Sequence, residues 1–418
     1  MTSEPNGRAI PVEEYLQRIL ARVEPMEPFE HSLMDALGLP VAEDVHASVS
    51  LPVFDNSGMD GYAVAFRDVA DATEDRPLHL PVVGEIAAGQ ATIFDLTPGT
   101  AVRIMTGAPV PSGCSAVVPF EWTSEEGPEQ RREVVVRRAP EEGQHIRRAG
   151  EEIAKGDLLM RAGEVIGPRQ LGLLAAAGLG RVRTAPRPRV VVMSTGSELV
   201  EPGRELGRDS IYDANSYLLA AAVRAHGGVA YRVTATTDDP HDFTEALSDQ
   251  LVRADLVVTS GGVSKGTHDV VKEVLAGLGT VDFLEVAMQP GKPQGFGFVG
   301  EDSTPIFTLP GNPVSAYVSF EMFVVPALHR LTGRDGGARR LTTARVTEPV
   351  RSMRGRSQLL RARVDMDADG LRATPVGGPG SHLIAGLAGS DALLVLAEDV
   401  TRVDAGEQVP VLLLDVPA

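Results

Sequence analysis

The sequence predicts a multidomain α/β protein. A central doubly wound α/β domain is expected, with a small β domain inserted near the N-terminus and a β-barrel-like domain at the C-terminus. Three observations predict this. Apolar strand-like runs alternate with helical patterns between residues 189 and 331, the βαβ signature of a parallel sheet. Short β-like runs punctuated by Gly and Pro fill residues 41–163 and return over 341–418. Finally, RVVVMSTGSELV, DLVVTSGGVSKGTHD and IFTLPGNPVSA each run from an apolar stretch into a Gly-rich or Gly-Pro turn. Strand, turn, helix is how an open sheet presents backbone N–H groups at the carboxyl ends of its strands.

Taken in order, residues 11–22 place Val12, Tyr15, Leu16, Ile19 and Leu20 on one helical face, with Pro11 suited to the first turn. A second short helix over 32–37 ends at Gly38. LHLPVVGEI, TAVRIMTG, AVVPFEW, REVVVRRA and DLLMRAG read as strands, and TSEEGPEQRRE as a hairpin tip. GPRQLGLLAAAGLG, 167–180, reads as a helix leading to a boundary at 186–189. In the α/β region the strands are expected at 189–194, 229–236, 255–260, 281–287 and 305–309. The helices are expected at 214–226, 241–253, 269–278 and 313–331. After a linker at 333–340, TARVTEPV, SQLLRARVDM, LRATPV, ALLVLAE and VPVLLLDV supply the last strands.

Composition narrows the function classes. At 418 residues the chain has room for about three domains on size alone. No apolar run approaches the ~20 residues of a membrane span, and MTSEPNGRAIPVEEYL lacks the pattern of a secretory signal. Cys114 is the single cysteine, so an intramolecular disulfide is excluded and a cytoplasmic setting is the default expectation. A net charge of −18 argues against nucleic-acid binding. It also makes local basic groups informative. Of four lysines, Lys265, Lys272 and Lys292 fall in the Gly-rich region.

The three turns bring Ser194, Thr195, Glu198, Ser264, Lys265, Asp269 and Asn312 toward one crevice. Donors, an ammonium and several carboxylates suit a phosphorylated ligand held with a divalent cation. None of the turns matches the Walker or dinucleotide fingerprint, which disfavours an ordinary ATPase or dehydrogenase. Several residues keep two readings. Asp60 in FDNSGMDGYAV belongs to a turn or to an active site, and Thr106 in RIMTGAPVPSG is a loop hydroxyl or a ligand contact. Asp213 caps a helix or faces the crevice, and Asp238 or Asp239 caps the helix near Pro240. Lys292, framed by Pro-Gly-x-Pro, reads as an anion contact, and Asn312 as a helix N-cap before Pro313.

Together, DNSGMDGYAV, RIMTGAPVP, IRRAGEEI, STGSEL, IYDAN, SGGVSKGTHD, PGKP, LPGNPVSA and GSHLI resemble the molybdopterin molybdenumtransferase family, which includes MoeA and the gephyrin E domain. The resemblance spans essentially the whole chain. It implies an α/β domain of molybdopterin-binding type and a division into 8–45 plus 147–185, 46–146, 186–332 and 340–418. It implies a homodimer that inserts molybdate into adenylylated molybdopterin with Mg²⁺, releasing AMP. Molybdopterin adenylyltransferase and molybdoenzymes are the candidate protein partners. Asp60, Thr106, Glu198, Asp238 and Asp269 match catalytic positions, with Glu198 and Asp269 as metal ligands. Lys292, Arg361 and Ser381 match molybdate-binding positions. Nucleotide and pterin contacts fall on Ser194, Thr195, Gly196, Asp213, Gly261, Gly262, Ser264, Lys265, Pro310, Gly311 and Asn312. The chain departs from the family at Gln289 and Glu285, where lysines occur in members, and at Ser197 and Glu152. Lys265 and His268 are local novelties. The alternative readings are a molybdopterin adenylyltransferase, or a non-catalytic binding or scaffold protein.

Overall fold

A computed structural model describes residues 9–87, 89, 95–126, 132–236, 239–261, 270–278, 280–334 and 339–414. The central layer is a six-stranded sheet. Its order is Val229–Thr236, Arg189–Thr195, Leu256–Ser260, Thr304–Leu309, Pro293–Val299, Val281–Glu285. The first four strands are mutually parallel. The expected all-parallel sheet is therefore corrected to a mixed one, because Pro293–Val299 runs antiparallel to both of its neighbours. The Gly-rich sequence QGFGFV is not among the expected strands, yet it pairs as one. A Cβ on Gly295 would lie 1.9 Å from the Thr308 hydroxyl, so that glycine serves close packing inside the sheet.

Period-two alternation sends successive side chains to opposite faces. Val190 and Val192 enter one core with Leu219, Val223 and Phe323; Val191 and Met193 enter the other with Phe243, Leu247 and Leu275. Helices Asn215–Ala225 and Pro313–Ser319 thus cover one face, and Pro240–Leu251 and Val270–Leu278 the other. The 313–331 helix contains a π-helical turn over Phe320–Val324. The first helix, Val12–Leu20, begins after Pro11 and buries Tyr15, Leu16 and Ile19 in the same core. Tyr15 meets Phe323 edge-on at 4.9 Å.

The inserted region forms its own six-stranded sheet, ordered Ala116–Pro119, Gly61–Val64, Ala101–Ile104, Leu78–Ile86, Glu133–Val136, Thr123–Glu126. The last two strands pair antiparallel as the expected hairpin, whose tip at 127–131 lies outside the described residues. Phe29–Ser32 pairs with Arg181–Thr184, and Val45–His46 with Leu158–Met160, around a core of Ala36, Met160, Ile166 and Leu174. At the C-terminus five strands close into a barrel, because Ser357–Asp367 pairs with both Gly370–Pro375 and Ala392–Leu396. Met288–Gln289, from the α/β region, adds a short parallel strand to Ser357–Asp367. That seam joins the central sheet to the barrel. No described helix is long and apolar enough to cross a membrane.

Candidate functional site

The first strand of the α/β sheet, Arg189–Thr195, lies between Val229–Thr236 and Leu256–Ser260. The chain leaves it in one direction and returns on its other side. The topological switch point therefore falls between Arg189–Thr195 and Leu256–Ser260, where open α/β sheets bind ligands. Two of the predicted turns stand there. Gly196 has φ +145°, and a Cβ on it would lie 2.4 and 2.7 Å from the Glu198 carboxylate oxygens. The carboxylate is folded back over the turn. A Cβ on Gly261 would lie 3.0 Å from the Thr195 carbonyl oxygen, and one on Gly311 would lie 3.6 Å from Gly261 Cα. The three turns thus converge on one place, as the sequence predicts.

A residue the site prediction did not single out holds them together. The Asn215 amide nitrogen donates to Ser260 Oγ at 2.8 Å and to the Gly311 carbonyl at 2.6 Å. The first residue of one helix thereby ties the second turn to the third. The sequence signal was its place in IYDAN, just where a helix follows a strand.

Ser194 and Asp213 are bonded to each other. Both are buried, and Ser194 Oγ donates to Asp213 Oδ1 at 3.0 Å. Asp213 also accepts from the Ser216 backbone N–H at 3.0 Å and from Ser216 Oγ at 2.6 Å. Its carboxylate thus accepts from the first turn of the helix Asn215–Ala225 and is tied to the end of the first strand through Ser194. Asp239 likewise caps the helix Pro240–Leu251, accepting from the His241 and Asp242 N–H groups at 2.8 and 3.2 Å. Asn312 occupies an N-cap position, but its side chain makes no capping hydrogen bond. The Val314 N–H instead donates to the Ser381 carbonyl at 3.0 Å. Pro310 is buried just before this turn.

Asp238, Gly262, Ser264, Lys265, His268 and Asp269 lie outside the described residues. Glu198 is exposed beside the Gly196 turn, with no ion pair among the described residues. A hard, unneutralised carboxylate fits a cation such as Mg²⁺. Among the described residues no cluster of three metal-ligating side chains forms.

Of the predicted oxyanion residues, Arg361 and Ser381 belong to the barrel region, and Lys292 follows the short strand Met288–Gln289 that pairs with it. Arg361 is 5% exposed and donates to the Gly380 carbonyl at 3.1 Å and to that of Gly378. Burial pushes its pKa down. It has no carboxylate partner among the described residues, and its Nε has no hydrogen-bond partner. Arg361 holds the 377–380 loop, and the next residue, Ser381, docks on the Val314 N–H. Lys292 sits in a turn fixed by buried Gln294, whose amide donates to the Gly291 carbonyl and to Ser319 Oγ, both at 2.6 Å. The Lys292 Nζ lies 2.8 Å from Glu285 Oε2.

Asp60 and Thr106 meet in the inserted domain. Asp60 Oδ1 accepts from the Thr106 N–H at 2.6 Å and from its hydroxyl at 2.8 Å. The backbone N–H first, then the hydroxyl, holds the Asp60 carboxyl below its ordinary range. Both residues are exposed. Cys114 is partly buried, donates to the Ala116 carbonyl, and has its pKa raised by burial, so it is no activated thiolate.

Three family models cover this architecture: "MoeA N-terminal region (domain I and II)" over residues 10–178, "Probable molybdopterin binding domain" over 191–330, and "MoeA C-terminal region (domain IV)" over 343–414. Molybdopterin molybdenumtransferase 2 of Mycobacterium tuberculosis is 44% identical over 406 residues, which are 96% of this chain and 98% of that protein. The chain belongs to the molybdopterin molybdenumtransferase family. The family member of Haemophilus influenzae is 35% identical over 384 residues, 91% of this chain and 92% of its own. The crystal structure of the molybdopterin biosynthesis moeA protein from Pyrococcus horikosii superposes with a TM-score of 0.82 at 33% identity, covering 97% of this chain and 99% of that one.

Proposed function

We propose that this enzyme of molybdenum cofactor biosynthesis inserts molybdate into adenylylated molybdopterin and releases AMP. The observation that carries the reading is the convergence of three glycine turns at the switch point, under an unneutralised Glu198 carboxylate. In this reading the turns receive the nucleotide and pterin phosphates. Glu198, Asp238 and Asp269 would hold Mg²⁺, which neutralises charge on the pyrophosphate when bound. The same carboxylates orient the oxygen that attacks the pyrophosphate. Arg361 and the Ser381 hydroxyl hold molybdate at the barrel seam, and Lys292 joins them once its pair with Glu285 opens. A molybdopterin adenylyltransferase would need only the α/β domain, so the barrel and its buried arginine favour the transferase.

The Asp60–Thr106 pair is exposed, preorganised, and carried on a separate sheet. This supports a homodimer in which it completes the partner subunit's site. The test mixes an Asp60→Ala chain with a Glu198→Ala chain. Verified heterodimers should regain part of the AMP release that either homodimer lacks; no recovery contradicts the shared site. Asp269→Asn should greatly reduce AMP release, and wild-type turnover with normal Mg²⁺ dependence would remove Asp269 from the metal-binding set.

A further inference from the structure

Three cations flank the seam where Met288–Gln289 pairs with Ser357–Asp367, and they are not equivalent. Lys292 is neutralised: Glu285, at the end of the edge strand Val281–Glu285, sits 2.8 Å from its ammonium, with the two side chains 35% and 32% exposed. Arg356 lies just before the barrel strand, half-buried, and donates to the Gln289 amide oxygen at 3.3 Å. It has no carboxylate partner among the described residues. Arg361 is buried and, among the described residues, bonds only carbonyls. A guanidinium that meets only neutral acceptors keeps its full charge for an incoming anion. An ammonium already paired with a carboxylate presents little net charge. The uncompensated positive charge of the seam therefore resides on two arginines.

We infer that Arg356 is an oxyanion-binding residue of this chain, and that Glu285 is a built-in counter-anion that withholds Lys292 from the oxyanion. The inference rests on the reading that molybdate binds at this seam. Gln289 contributes no charge, but its amide oxygen takes the hydrogen bond from Arg356. Its NH₂ is thereby left as a neutral donor, and the guanidinium is fixed beside it. Arg356 and Arg361 are two cations of the barrel strand region that meet no carboxylate among the described residues. Lys292 joins them only when the anion displaces Glu285.

The test is calorimetric titration of molybdate into the full-length protein, at low and high potassium chloride. Arg356→Gln should weaken binding roughly ten- to a hundred-fold, the range for one charge-assisted hydrogen bond. Arg356→Lys should restore part of that loss. Glu285→Gln should tighten binding several-fold at low salt and less at high salt, because the pair is exposed enough to be screened. Arg361→Ala, with Arg361→Lys in reserve against misfolding, tests the underlying reading. If molybdate affinity survives both Arg361 changes, the oxyanion does not bind at this seam. If loss of Arg361 abolishes binding while Arg356→Gln stays within two-fold of wild type, the site stands and the role of Arg356 is overturned. If Glu285→Gln weakens binding, the counter-anion role is overturned.

Discussion

Asn215 offers the sharpest test of how the site is held. Its amide makes two hydrogen bonds, 2.8 Å to Ser260 Oγ and 2.6 Å to the Gly311 carbonyl, between turns from different strands. Each such bond contributes about 0.5–1.5 kcal/mol to stability. Asn215 is half-buried, so water can replace part of what Asn215→Ala removes. The expected stability loss is therefore about 1–2 kcal/mol. The functional loss should be larger. Without the tie the Gly261 and Gly311 turns can part, and displacement of about 1 Å in a reacting pair can reduce rate by about 10²-fold. Asn215→Asp should be worse than alanine. It keeps the shape but directs a carboxylate oxygen at the Gly311 carbonyl, beside a site proposed to bind phosphates. The assay pairs urea unfolding with kcat/KM for AMP release. Wild-type kcat/KM in both variants would refute the claim that Asn215 sets the spacing of the turns.

Gly196→Ala should nearly abolish AMP release while lowering stability by only about 1–3 kcal/mol, because φ +145° strains the backbone and the new Cβ displaces the Glu198 carboxylate; unchanged turnover would contradict this. Burial first, then the charges of Arg334, His226 and Arg339, pushes the His329 pKa down to about 3 from 6.5. The unfolded chain thus binds the extra proton between those values. Stability from this group is complete above pH 6.5 and is lost as pH falls toward 3, by about 2 kcal/mol between pH 7 and 5. His329→Gln should flatten that acid slope in urea-unfolding measurements, and an unchanged slope would refute the assignment. Glu321 is fully buried and pairs with Arg339 from the interdomain linker, whose guanidinium also donates to the Leu413 carbonyl at 3.1 Å. Glu321→Ala should destabilise by about 3–5 kcal/mol by leaving Arg339 unpaired, and Glu321→Gln by less; thermal midpoints in the two variants check the order.

The α/β layer was legible because its buried parallel strands are continuous apolar runs that end in glycine turns. Val190, Leu256 and Ile306 announce their strands directly. Pro293–Val299 was hidden because its glycines look like a turn in sequence, while in space they make room for Thr308 and for its neighbouring strand. At the site, residue type gave Glu198, Gly196 and the three turns. It did not give pairing. That Glu285 would meet Lys292, or that Asp213 would be consumed by Ser194 and Ser216, depends on hairpin register and side-chain direction. Arg356 carried no sequence signal, because its significance lies in having an amide rather than a carboxylate opposite it.

The central claim is that pyrophosphate cleavage and molybdate insertion occur together in this protein. The direct measurement supplies purified protein with adenylylated molybdopterin, Mg²⁺ and molybdate, and determines AMP and pterin-bound molybdenum in the same reaction. The two should appear in a one-to-one ratio, and Arg361→Ala should lower molybdenum incorporation. AMP released without molybdenum bound to the pterin, or no AMP at all from the wild-type protein, would contradict it.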